Sequence, residues 1–235
     1  MCGRLRLDTD WSEIVRIFDL DPDALGDFVP RWNVAPTQLV PLIDGPRGQR
    51  TAHWGAWGFV PYWERGAKPK QRPINAKAET VAQSGLFKFA YRERRCVVPA
   101  TGFYEWETRP DGKQPFLFAK PDGGLLALAG IWSRWRPDGG APVDTFCVLT
   151  TEANAVTGRV HDRMPVVLTD PAAIDLWLDP AADPSLVTRV LRPAPDDFLD
   201  ARPVSRAMNV ATVDTPEGCS ILEDEGTLAG GAERT

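Results

Sequence analysis

Short strand-like runs, each closed by a turn sequence, confine this chain to a sheet-rich fold. Residues 38–44 (QLVPLID) and 50–59 (RTAHWGAWGF) read as the two strands of a hairpin around Gly-Pro-Arg-Gly. Residues 95–100 (RCVVPA), 103–108 (FYEWET), 115–119, 125–132 and 146–151 (FCVLTT) are further strand candidates, with Pro-Asp-Gly-Lys and Pro-Asp-Gly-Gly marking turns between them. Residues 202–210 form a last strand region, and 161–168 begin as a loop and end as a strand. Helical signals are fewer. Trp11, Ile14, Val15, Ile17 and Phe18 fall near helical spacing within residues 10–20, with Asp10 or Ser12 as the cap. Residues 76–90, 152–160, 171–178 and 185–191 also read as helical, Pro171 standing in a first turn. Residues 31–36 lie between Pro30 and Pro36 as an extended or turning loop, and 60–73 form a proline-rich basic loop. Many strands with peripheral helices predict an α+β fold: one compact domain over residues 1–215 with a mixed, barrel-like β-sheet core. Residues 216–235, rich in Glu, Asp, Gly and Thr, read as a flexible tail.

At 235 residues the chain can bury a substantial core. No apolar run approaches the ~20 residues of a membrane span, and the first residues lack a secretory h-region, so a cytoplasmic protein is expected. The cysteines Cys2, Cys96, Cys147 and Cys219 are widely spaced, with no C-x-x-C, which predicts reduced thiols and no zinc site. Cys96 and Cys147 lie in apolar stretches and read as core. The net charge of −5 argues weakly against nucleic acid, but the distribution is uneven. Residues 1–100 hold 15 Lys/Arg against 11 Asp/Glu, whereas the rest hold 12 against 21, so a basic face on an acidic protein is possible.

Cys2 follows the initiator methionine in Met-Cys-Gly-Arg. Removal of Met1 would leave a free α-amine and a thiol on adjacent carbons. The amine titrates near ~8 and the thiol near ~8.5, against about 10.4 for lysine, so roughly a tenth of the amine is nucleophilic at neutral pH. An aldehyde meeting this 1,2-aminothiol can form an imine and then be trapped by sulfur in a five-membered ring. Taken alone, Cys2 reads more readily as a small residue required behind Met1 than as a nucleophile.

Six ordered segments extend the argument: MCGR, RWNVAP (31–36), WGFVPYW (57–63), INAKAET (74–80), CVVPATGFYEW (96–106) and HDRMPVVL (161–168). Together, over about residues 1–215, they resemble the SRAP ("SOS response-associated peptidase") family. The resemblance implies a mixed α+β fold around a barrel-like core, recognition of abasic sites in single-stranded DNA during the DNA damage response, and covalent crosslinking through the N-terminal cysteine. It implies Cys2 as the nucleophile, with Asn75, Glu105 and His161 as the polar residues around it. Lys77 stands where members often carry arginine, which gives up a bidentate phosphate fork. Chemically, Glu105 would move protons to and from the Cys2 amine, His161 would protonate the sugar ring oxygen as the lesion opens to its aldehyde, and Asn75 would orient the thiol or the sugar. Each has a plainer reading: Asn75 as a helix N-cap, Glu105 as a surface carboxylate like Glu107, and His161 in an ion-pair cluster with Asp162 and Arg163.

Arg4, Lys77, Arg163 and Arg206 are candidate phosphate contacts, and Tyr62 and Trp63 candidate stacking residues whose alternative is core packing. Asn33 and Pro36 are expected to shape the loop beside Cys2, with Asn33 touching DNA backbone. Lys68, Lys70 and Arg72 form a mobile basic segment that reads as solvated surface before it reads as a DNA contact. The expected partner is single-stranded DNA containing abasic sites, bound by a monomer with no metal and no cofactor, nucleoid-associated when on DNA. Two other functions compete: an N-terminal-nucleophile cysteine peptidase or amidase limited to self-processing of Met1, with peptidase or lyase-type activity, and a non-covalent single-strand binding module.

Overall fold

The computed structural model describes residues 2–223. In chain order the elements are β1 (Arg4–Leu7), α1 (Trp11–Phe18), β2 (Arg31–Val34), β3 (Leu39–Asp44), β4 (Thr51–Trp57), β5 (Asn75–Lys77), α2 (Lys88–Glu93), β6 (Arg95–Ala100), β7 (Gly102–Arg109), β8 (Gly112–Ala119), β9 (Leu126–Trp135), β10 (Val143–Glu152), β11 (Arg163–Pro165), α3 (Pro171–Leu178), α4 (Pro184–Arg189) and β12 (Asp200–Pro203).

The strands form two sheets. One runs β12-β8-β7-β1-β2. The other runs β11-β10-β4-β3-β6-β9, and β9 pairs back onto β10, so β10, β4, β3, β6 and β9 close into a ring. Among the described residues only the β10–β4 and β10–β5 pairings are parallel. Ring strands are apolar on both faces because both are covered. Cys96, Val98, Leu126, Leu128, Trp132, Phe146 and Val148 alternate into the ring, where they meet Leu5, Phe103 and Phe118 of the other sheet. Val97, Ala127, Ala129, Ile131, Cys147 and Leu149 face outward and are covered by Ile14 and Phe18 of α1, Tyr91 of α2, Trp177 of α3 and Val187 of α4. Cys96 and Cys147 are therefore core residues on opposite faces of one barrel wall.

Several sequence expectations need correction. Residues 76–90 are not one helix. Asn75–Lys77 is a strand whose backbone is completed by β10, turns follow, and helix begins only at Lys88. The open edge of β10 outcompetes local helix propensity there. Residues 152–160 give only a 3₁₀ turn at Thr157–Arg159, where Asn154 accepts from the Thr157 N–H and ends the strand's continuation. The expected loop at 31–36 is mostly strand β2, and residues 202–210 divide into the end of β12 and a 3₁₀ turn at Arg206–Asn209. At α1 Asp10 occupies the N-cap position without a side-chain cap bond. The described part of the expected tail is docked: Ile221 bridges to Val204, Leu222 N–H donates to Pro203 O at 2.8 Å and Cys219 is buried. The remainder of that tail, and Met1, lie outside the described residues.

Two inward-facing glycines keep the ring narrow. A Cβ at Gly55 would lie 2.4 Å from Leu42 Cδ1 and 3.2 Å from Phe146 Cδ1, and one at Gly130 would lie 2.9 Å from Val98 Cγ2. Gly55→Ala should therefore cost about 1–3 kcal/mol through overpacking, read as a lower urea midpoint with an unchanged slope. His53 sits inside the opposite rim, 4.6 Å from the Trp132 ring. Burial pushes its imidazole below the ordinary value, against the opposing pull of Asp44 and Asp144 and with help from Arg134 and Arg94. The unfolded chain thus takes up this proton first. Its contribution to stability is complete above about pH 6.5 and is lost as pH falls from there towards the folded value. His53→Gln should flatten that part of the stability profile.

Candidate functional site

Cys2 lies two residues before the start of β1, the strand held between β2 and β7. The antiparallel register sets Arg4 opposite Tyr104, so the chain running back to Cys2 lies beside Glu105 and Trp106. Strand alternation sends Tyr104 to a small outer cluster, with Trp106 packed against it, and turns Phe103 into the main core. Glu105 shares the inward parity of Phe103. It is only 3 % exposed, whereas the Glu107 side chain is 38 % exposed and pairs with Arg109, so the two carboxylates are not equivalent.

Asn75 approaches from the other sheet. The parallel pairing of β5 with β10 sets Asn75 against Val148, and its Nδ2 donates to the Cys2 carbonyl at 2.8 Å. It is a strand residue, not a helix cap. Its Oδ1 is buried and accepts no hydrogen bond among the described residues. His161 follows the 3₁₀ turn and is tied by its N–H to Thr157 O at 2.9 Å. Its Nδ1 accepts from Arg163 N–H at 3.0 Å and also lies 2.9 Å from Asp162 Oδ1. Both cannot be hydrogen bonds at once, because a nitrogen that accepts carries no proton. The Arg163 N–H is fixed in β11, while the Asp162 side chain is 89 % exposed and free to swing. We therefore assign the imidazole proton to Nε2.

The four residues thus meet where the two sheets join. Burial pushes the Cys2 thiol well up, and the nearby Glu105 carboxylate pushes it further. Burial also raises the Glu105 carboxyl, with His161 pulling the other way. The result is a buried site holding a protonated thiol beside a carboxyl group whose hold on its proton is strengthened by burial. Among the described residues no three His, Cys, Asp or Glu side chains are grouped to hold a metal ion.

The expected DNA contacts divide into two sets. Tyr62 and Trp63 are each 49 % exposed, Tyr62 packing its ring 4.8 Å from Phe89, so neither is a core residue. Lys77 is exposed beside Asn75, Pro36 is half-buried, and Lys68, Lys70 and Arg72 are exposed. The other cations are engaged. Arg163 makes a fork to Glu79 at 2.7 and 2.8 Å, and Arg206 pairs with Asp111 at 2.7 Å. Arg4 donates to Asn33 Oδ1 at 2.8 Å, Met208 O at 3.0 Å and Asn209 O at 3.3 Å.

Asn33, expected at the DNA backbone, is instead fully buried as a structural clamp. Its Nδ2 donates to the carbonyls of Met208, Val210 and Val213, and its Oδ1 accepts from Arg4. Asp214 completes the clamp by accepting from the N–H groups of Trp32 and Asn33 and pairing with Arg31. This network straps residues 208–214 across β1 and β2 and so fixes the backbone leading to Cys2. Asp214 and Glu79 escaped the sequence reading. Glu79 lies within INAKAET and could have been noticed there, while nothing local links Asp214 to Asn33.

A model of the family described as "SOS response associated peptidase (SRAP)" matches residues 1–211. "Abasic site processing protein YoqW" of Bacillus subtilis (strain 168) is 33 % identical over 222 residues, covering 92 % of this chain and 98 % of that one. "Abasic site processing protein HMCES" of Gallus gallus is 30 % identical over 224 residues, covering 82 % and 66 % respectively. A crystal structure of a protein from Bacteroides thetaiotaomicron shares the fold with a TM-score of 0.81 at 22 % identity, covering 92 % of this chain and 98 % of that one. With the family model spanning nearly every described element and relatives similar along most of their length, the chain belongs to the SRAP family.

Proposed function

We propose that this protein processes abasic sites in single-stranded DNA by capturing their aldehyde on Cys2. The observation that carries this reading is the convergence of Asn75, Glu105 and His161 on a buried Cys2 from three separate segments. The names of the relatives support the substrate class.

Capture requires a free Cys2 amine, because an amide nitrogen cannot add to an aldehyde; Met1 must first be removed. The lesion opens to its C1′ aldehyde as the bond from C1′ to the ring oxygen breaks: the Glu105 carboxylate takes the C1′ hydroxyl proton and passes it to the ring oxygen, while neutral His161 supports that oxygen by hydrogen bonding through Nε2–H. The amine then adds to C1′, and Glu105 takes the ammonium proton and returns one to the departing hydroxyl, which leaves as water. The Cys2 sulfur closes on the same carbon, its proton passing to Glu105 and the ring nitrogen ending neutral. One water is lost overall and a thiazolidine remains. The raised thiol fits this order. A thiol held protonated is a poor resting nucleophile for amide cleavage, so peptidase turnover at Cys2 is the weaker reading. Asn75 fixes the Cys2 carbonyl and hence the direction of its amine. Lys77, Tyr62 and Trp63 are exposed and are the first candidates to meet the strand, ahead of Arg4, Arg163 and Arg206, which already hold partners.

Incubation with single-stranded DNA carrying one abasic site should give a band that survives SDS. Cys2→Ala should give none. Cys2→Ser keeps the amine and should crosslink durably only after borohydride reduction of its imine. Glu105→Gln should slow capture about 10²–10⁴-fold without removing the final product. Absence of a wild-type adduct from protein confirmed to begin at Cys2 would overturn the proposal. Cys2-dependent turnover of peptides would favour the peptidase reading instead.

A further inference from the structure

The two shortest strands of the ring sheet carry or adjoin two of the proposed reactive side chains. β5 begins with Asn75, and β11 begins two residues after His161. They lie on opposite edges of β10, where Thr150 pairs with Lys77 on one side and Pro165 on the other. Three residues of pairing hold either strand weakly, so something further must set their spacing. Glu79, two residues beyond β5, reaches across β10 to Arg163, the first residue of β11. Its Oε1 and Oε2 accept from Nη1 and Nη2 at 2.7 and 2.8 Å. The same Nη2 donates to Thr150 O at 2.6 Å, which also accepts from Ala78 N–H at 2.9 Å. The Arg163 side chain is 14 % exposed and that of Glu79 44 %, so the fork is open to solvent on its carboxylate side and owes its hold to the bidentate geometry and the added bond to Thr150 O. The Arg163 backbone N–H in turn holds His161 Nδ1. The Arg163 guanidinium holds the Glu79 carboxyl below its ordinary value, so the pair stays ionised at neutral pH.

We propose that Glu79 is a positioning residue for the Cys2 reaction: its fork to Arg163 bolts β5 to β11 over Thr150 and so fixes the spacing between Asn75 and His161. The inference rests on the function proposed above. It also assigns Arg163 a structural duty alongside any contact with phosphate. Glu79 touches neither substrate nor Cys2 and acts only through the two strands.

The test uses Glu79→Gln and Glu79→Asp in the full chain. Crosslinking rate is measured at saturating abasic single-stranded DNA, and non-covalent affinity separately in a Cys2→Ala background. Amide hydrogen exchange is followed at residues 75–80 and 161–165. Glu79→Gln should lower the maximal rate about 10-fold, change affinity less than about 3-fold and speed exchange in both segments, with Glu79→Asp recovering part of the rate. An unchanged maximal rate, or unchanged exchange, overturns the proposal. So does a rise in affinity with the rate intact, which would make Glu79 a competitor for phosphate. If wild-type protein forms no adduct, the reading of function fails, and hydrogen exchange judges the clamp alone.

Discussion

β10 holds this molecule together. Its first half pairs with β9 on one edge and β4 on the other, which closes the ring; its second half pairs with β11 and β5 on those same edges. A central strand with partners on both edges satisfies backbone groups on each side and gives the core two buried faces. It also explains the site. Asn75 and His161 are far apart in sequence, and each arrives through a short segment docked on β10. Cys2 and Glu105 come from the neighbouring sheet, where β1 lies beside β7. The candidate site forms where these two assemblies meet, and the Asn75 bond to the Cys2 carbonyl spans the junction.

Much of the fold was legible because its periodicity is local. The β3–β4 hairpin, β6 to β10, α1 and α3 follow from apolar runs, turn residues and caps, all short-range signals. The failures share one cause. β5 and β2 are three or four residues long and acquire strand character only from long-range partners, so a local reading gave a helix at one and a loop at the other. Residues 216–223 read as tail because Cys219 and Ile221 find their partners far back in the chain, near Tyr104 and Val204.

The site was legible in part for a different reason. Cys2, Asn75, Glu105 and His161 stood out because their motifs matched a family, not because any spacing placed them together. Their burial could not be read. Glu105 and Glu107 share strand parity, and only the sheet packing makes one a buried carboxyl and the other a surface ion pair. Asn33 illustrates the reverse error. A polar residue in a loop-like motif suggested DNA contact, yet its amide is consumed by three carbonyls and Arg4. Buried polar side chains so fully satisfied serve the fold.

What remains distinctive is the cost the fold accepts at its N-terminus. A thiol and a carboxyl are buried together, each disfavoured in its charged form. Such an arrangement stabilises nothing by itself, and the proposed proton transfers at Cys2 give it a use. Tandem mass spectrometry of the DNA-crosslinked peptide is the most direct test. The account predicts a peptide beginning at Cys2, joined to the sugar remnant through its first residue with loss of one water, and taking up no hydrogen from borohydride. An adduct at any other residue, or on a chain still bearing Met1, would contradict it.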